Sequence, residues 1–144
     1  MNYEYFERKT QNTIEKLLIE HGDDICRNII GIDYLRDQLT RYDFGFIRRT
    51  QNTIYSFVLC KLNTEFSDVD ILLVCPRPKT NDRTVMLGLV HEKARQIDVA
   101  SMSLIAVGNT RLLNWYKNHG FYMQSYTQEK DEPQVKMYYM RKKV

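Results

Sequence analysis

The chain has 144 residues, 43% apolar and 27% charged, and its 21 lysines and arginines against 18 aspartates and glutamates leave a net charge of +3. That length fits one domain burying about 68–70% of its surface, and the composition argues against whole-chain disorder, collagen-like repeats and a coiled coil. The longest apolar runs, at 71–75 and 103–107, are too short to span a bilayer, and the acidic, aromatic start Met-Asn-Tyr-Glu-Tyr-Phe-Glu is unlike a secretory signal.

Ile14, Leu17, Leu18 and His21 recur at helical spacing over 10–21. Asp24 is placed to cap a second short helix carrying Ile25, Ile29 and Ile30. Asp33 is placed to cap a third, with Tyr34, Leu35, Leu39 and Tyr42 on one face. From Phe44 the pattern changes. Phe44, Phe46 and Arg48 alternate, 50–53 reads as a turn, and 54–62 is rich in strand formers, which predicts a β-hairpin. After a loop at 63–67, 69–75 reads as a buried strand stopped by Pro76 and Pro78. The basic, polar loop 77–83 precedes a helix over 84–97 with Leu87, Val90, Ala94 and Ile97 on one face, and 100–107 is a further strand. Asn109 is positioned as N-cap of a helix over 110–118, and Gly120 stands where a helix C-terminal glycine belongs. Segments 121–126 and 135–141 predict a final hairpin around the acidic turn 129–133, and this hairpin offers an edge for a homodimer. Strands alternating with helices in the second half imply one α/β domain over 1–144, a mixed central sheet with helices on both faces. The near-repeat of 8–14 at 48–54 has different flanking patterns, helix in one case and hairpin in the other, and marks no repeat architecture.

Three scattered cysteines, Cys26, Cys60 and Cys75, lack any CxxC and predict reduced thiols in a cytoplasmic protein. Cys75 has no histidine placed by sequence to activate it and reads as a core thiol. His21, His91 and His119 are isolated, so no metal site is expected, and His91 is expected to face solvent from its helix. The pairs and runs Arg48-Arg49 and Arg141-Lys142-Lys143 read as solvated surface. A nucleic-acid-associated role is a minor alternative, since a net charge of +3 falls short of a strongly basic footprint.

The stretch 68–121 is the informative one. A strand ends in Val74-Cys75-Pro76, and a basic loop, a helix and a second strand follow. Asn109, Tyr116, Gly120 and Phe121 then come in the spacing Asn-x-x-Ala-x-x-x-Tyr-x-x-x-Gly-Phe, with Leu112 in the alanine place. This order and spacing resemble the GNAT N-acetyltransferase superfamily. The resemblance implies that strands 69–75 and 100–107 are parallel neighbours that splay apart. Acetyl-CoA would lie in the gap as an added strand would, on the backbone of Leu73 and Val74. The pyrophosphate would sit at the start of helix 84–97, served by Lys79, Arg83 and Thr84, with Asn109 near the cofactor.

The resemblance further implies acetyl transfer to a primary amine by direct attack. Tyr116 would be the proton donor to the leaving thiolate and Asp70 the general base, with Glu65 and Asp68 as loop alternatives for the base. The sequence departs from the family pattern at the pyrophosphate loop, where Asp82 and Thr84 replace two glycines. Asp82 is placed to cap the helix, with a carboxylate where a phosphate belongs. That departure supports the alternative of a non-catalytic interaction module with the same fold.

Overall fold

Two interleaved periods organise the chain. In 44–62 both odd and even positions are apolar, as expected of central strands covered on both faces, whereas the helical segments carry a single apolar stripe. A computed structural model describes residues 2–8, 12–26, 31–107, 110–128 and 136–144. The elements are β1 (Glu4–Glu7), α1 (Asn12–Ile25), α2 (Gly31–Leu39), β2 (Phe44–Arg49), β3 (Ile54–Asn63), β4 (Asp68–Cys75), α3 (Asp82–Gln96), β5 (Ser101–Val107), α4 (Thr110–Asn118), β6 (Tyr122–Gln128) and β7 (Lys136–Lys143). The strands form one seven-stranded sheet in the order β1-β2-β3-β4-β5-β7-β6. Every neighbouring pair is antiparallel except β4–β5, which is parallel, as a strand-helix-strand crossover requires. The mixed α/β sheet expected from the sequence is therefore the observed fold.

Each face of the sheet has its own core. On one, Phe44, Val58, Val69 and Ile71 pack with Met86, Leu87, Val90 and Ala94 of α3 and with Leu113 and Tyr116 of α4. On the other, Ile47, Phe57, Leu59 and Leu73 pack with Ile14, Leu17 and Leu18 of α1 and with Leu35 and Leu39 of α2. Each buried valine, leucine, isoleucine or methionine among them contributes about 1.5–3 kcal/mol by leaving water.

Three expectations are corrected. First, α1 runs through Asp24 to Ile25, so Asp24 lies in the last turn of that helix and does not cap a new one. Ile29 and Ile30 of the expected second helix lie outside the described residues. Second, the sequence reading missed β1, a four-residue edge strand with only Phe6 buried. It is held because Gly45 of β2 leaves room for the Phe6 ring: a Cβ there would stand 2.6 Å from Phe6 Cζ. Third, Cys26 and Cys75 are not reduced thiols but a disulfide, with Cα atoms 5.3 Å apart. Both sulfurs belong to the α1/α2 core, so folding brings them together across 49 residues of sequence. Cys60 is the free cysteine and is buried. Among the described residues, no helix is long and apolar enough to cross a membrane.

Candidate active site

β4 and β5 pair from Asp68↔Ser101 to Ile71↔Leu104 and no further, although they continue to Cys75 and Val107. The strands part at Leu72, which is also where β4 slips against β3. Leu59 opposes Leu73 and Cys60 opposes Ile71, so Leu72 is the extra residue of a bulge. The bulge breaks the regular strand alternation that would put Asp70, Leu72 and Val74 on one face. Val69 and Ile71 face α3 and α4, which turns Asp70 to the other side. Leu72 and Leu73 both pack with the α1/α2 core, and Val74 packs with the α3/α4 core. Past the bulge, the β5-facing edge of Leu73 and Val74 has no strand partner for its backbone polar groups. The splay predicted for these strands is present.

The loop leading to α3 carries Lys79, exposed and with a positive φ of 62° at the turn. The N-cap of α3 is Asn81, with no side-chain cap bond, rather than Asp82. Asp82 is the first helical residue, 5% exposed. Its carboxylate is held by the Arg48 guanidinium from β2. Burial pushes the Asp82 carboxyl up, and the bonds from Arg48, Tyr3 and Thr80 more than reverse this, holding it below the ordinary range. Arg48 is therefore an ion-pair partner rather than the solvated surface residue expected from the sequence. It lies over the Tyr55 ring, which Arg77 flanks at 4.6 Å. The negative charge that stands in place of a loop glycine is thus matched from within the protein.

Arg83, in the next position, donates to the Tyr116 hydroxyl at 2.7 Å and lies over the Trp115 and Tyr116 rings. Tyr116 is 3% exposed and packs edge-on against Trp115 and Phe121. Burial raises its phenol above the ordinary value, opposed by Arg83, so it keeps its proton at neutral pH. Two predicted site residues 33 positions apart are therefore in direct contact. Thr84 is exposed on the first turn of α3. Asn109 lies outside the described residues.

Asp70 stands apart from this group, on the opposite face of the sheet. It is half-buried and cross-strand to Lys61 and Ser103. Burial raises its carboxyl above the ordinary aspartate range, the charge of Asp68 adds to the rise, and Arg41 and Lys61 oppose it. Asp68 is buried and accepts hydrogen bonds from the Ser101 and Ser103 hydroxyls, which removes it as a free base. Glu65 is exposed in its loop.

Sequence reasoning missed a second cluster. A cavity of about 200 Å³ lies between α3, the end of α4 and β7, and is lined by Thr84, Gly88, His91, His119 and Lys142 above Leu87, Met102 and Phe121. His91 is half-buried against it, not solvent-facing as expected. Burial, then Lys142 and Arg95, lower its imidazole below the ordinary value.

No protein-family model matches the chain, and no curated protein sequence matches it. Solved structures do. A candidate acetyltransferase of the GNAT family from Desulfovibrio desulfuricans superposes at TM-score 0.76 over 99% of each chain, at 9% identity. An aminoglycoside 6′-N-acetyltransferase complexed with coenzyme A superposes at 0.75 over 99% of this chain and 97% of its own, at 8% identity. The ribosomal-protein-S18-alanine N-acetyltransferase of Escherichia coli superposes at 0.73 over 99% and 94%, at 11% identity. With its β4 bulge, its splayed parallel pair and two helices on each face, this chain has the GNAT acetyltransferase fold.

Proposed function

We propose that this protein is an N-acetyltransferase that moves an acetyl group from acetyl-CoA to a primary amine. The observation that carries the reading is the splay itself, since a strand edge left unpaired in the middle of a sheet is suited to an extended, amide-bearing arm. The neighbouring residues fit the rest of the cofactor. The first turn of a helix has backbone N–H groups without intrahelical partners, which suit a pyrophosphate. Lys79, Arg83 and Thr84 stand there as cations and donor, and Arg48 neutralises the Asp82 carboxylate. Bound in this way, acetyl-CoA supplies an acetyl group already activated as a thioester.

The chain supplies positions and protons. Leu73 and Val74 orient the arm by backbone hydrogen bonds. Tyr116 holds a protonated hydroxyl on the α3/α4 side, fixed by Arg83. Asp70 faces the other side of the sheet, with a carboxyl raised toward the range useful for taking a proton from an ammonium through water. Acid and base on opposite faces give the donor and the amine separate approaches. The neighbours include enzymes acting on an aminoglycoside and on a protein alanine, so the acceptor is sought among both classes.

The test pairs calorimetric titration of acetyl-CoA with a thiol-release assay over an amine panel. Tyr116→Phe should lower kcat about tenfold or more and change cofactor affinity less than twofold. Full activity in Tyr116→Phe would remove the assigned acid. Absence of acetyl-CoA binding at millimolar concentration would overturn the enzyme reading in favour of an interaction module.

A further inference from the structure

Resting on the acyl-transfer reading, we infer that the cavity between α3, the end of α4 and β7 binds the ribose 3′-phosphate of CoA, with Lys142 as its main cation. The cavity gathers an ammonium, a hydroxyl and two imidazoles, and no acid. Lys142 projects from β7 with its stem over Gly120 and its ammonium near the Phe121 ring, and it forms no ion pair among the described residues. His119 donates Nδ1–H to the Trp115 carbonyl at 2.8 Å, because a carbonyl only accepts, so Nε2 of the neutral ring is an acceptor, suited to a ribose hydroxyl rather than a phosphate oxygen. His91 and the Thr84 hydroxyl complete the set. The His91 imidazole is lowered first by burial, then by the charges of Lys142 and Arg95, with Glu92 opposing.

Gly88 keeps the α3 wall of the cavity open. Glycine is the least favourable residue after proline in a helix interior, yet a Cβ at Gly88 would meet nothing within 4 Å. Packing therefore gives no reason for it. A glycine lining a cavity does leave room for a molecule lying along the helix.

The position suits the cofactor. Thr84 belongs both to the first turn of α3, where the pyrophosphate would sit, and to the cavity wall. Gly88 lies about 6 Å further along the axis and His91 about 10 Å. A ribose linking a 5′-diphosphate to a 3′-phosphate covers the shorter of these spans. A nucleotide anchored here also accounts for a pyrophosphate loop that does without glycines, since part of the phosphate recognition has moved down the helix.

CoA and dephospho-CoA differ only in the 3′-phosphate, so calorimetric titration of the intact protein with each reads the inference directly. The wild type should bind CoA at least tenfold more tightly. Lys142→Met should bring the two nucleotides within about twofold of each other. Gly88→Met, which has open space for its side chain, should weaken CoA more than dephospho-CoA without loss of folding. Equal binding of both nucleotides by the wild type, or an undiminished CoA preference in Lys142→Met, overturns the inference and leaves the acyltransferase reading standing. Failure of both nucleotides to bind overturns that reading, and this inference with it.

Discussion

At Asp70, burial and catalysis make opposite demands. Its carboxyl is raised by burial and by Asp68, so the folded chain holds that proton more tightly than the unfolded chain. Stability from this group is then greatest below the unfolded value. It is lost as pH rises through the window between the unfolded and folded values. Asp70→Asn removes the loss. The variant should be more stable than wild type at pH 7 but not at pH 3, and its kcat/KM should fall about 10²-fold because the base is gone. Thermal melts and rate profiles from pH 3 to 8 check both halves. The wild-type rate should rise with pH through a carboxyl titrating above the ordinary aspartate range, and Asp70→Asn should lack that limb. Lower stability at pH 7, or an unchanged rate, would remove Asp70 as the base. The candidacy of Asp70 was legible from its distance to Val74-Cys75-Pro76. Its face was not, since the bulge at Leu72 follows from how β3 and β4 pair. Arg48 was illegible for a similar reason: its partner Asp82 is 34 residues away, and an arginine pair on a strand reads as surface.

At the scale of elements, α4 shows how a turn residue serves a site. Phe121 N–H bonds back to the Tyr116 carbonyl and Gly120 N–H to that of Lys117, with Gly120 at φ 92°. This left-handed helix ending is open to glycine and strained for other residues. A Cβ at Gly120 would also stand 3.1 Å from Lys142 Cε, a flexible stem that can shift. Gly120→Ala should therefore cost about 1–2 kcal/mol from backbone strain. In urea titration the midpoint should fall with the slope unchanged. A midpoint equal to wild type would show that the helix ending tolerates a side chain. This ending was legible, because a glycine after an amphipathic run has one common use. The strands at 44–62 and 100–107 were legible by apolar pattern, and β1 was not, since four residues with one buried ring carry no period.

At the scale of the whole molecule, the two cores on opposite faces of the sheet are joined through β4. Leu73 and Cys75 belong to the α1/α2 core, while Val69 and Ile71 belong to the α3/α4 core. The Cys26–Cys75 disulfide ties the end of α1 to the last residue of the splayed segment. No local pattern announces a crosslink spanning 49 residues, and three widely spaced cysteines suggested free thiols instead. Closing a loop of that length restricts the unfolded chain and stabilises the fold by about 2–4 kcal/mol. Cys60 is a poor competitor for exchange, because burial keeps its thiol protonated. The unreduced, denatured protein should take up one equivalent of an alkylating reagent, at Cys60. Cys26→Ser/Cys75→Ser should melt roughly 5–15 °C lower than wild type. Three alkylated cysteines without prior reduction, together with an unchanged melting temperature, would remove the crosslink from the fold. Because Cys75 ends the unpaired edge assigned to the cofactor arm, the same variant should also bind CoA more weakly than wild type. Lower melting with undiminished CoA affinity would mean that the β4 bulge alone holds that edge in place.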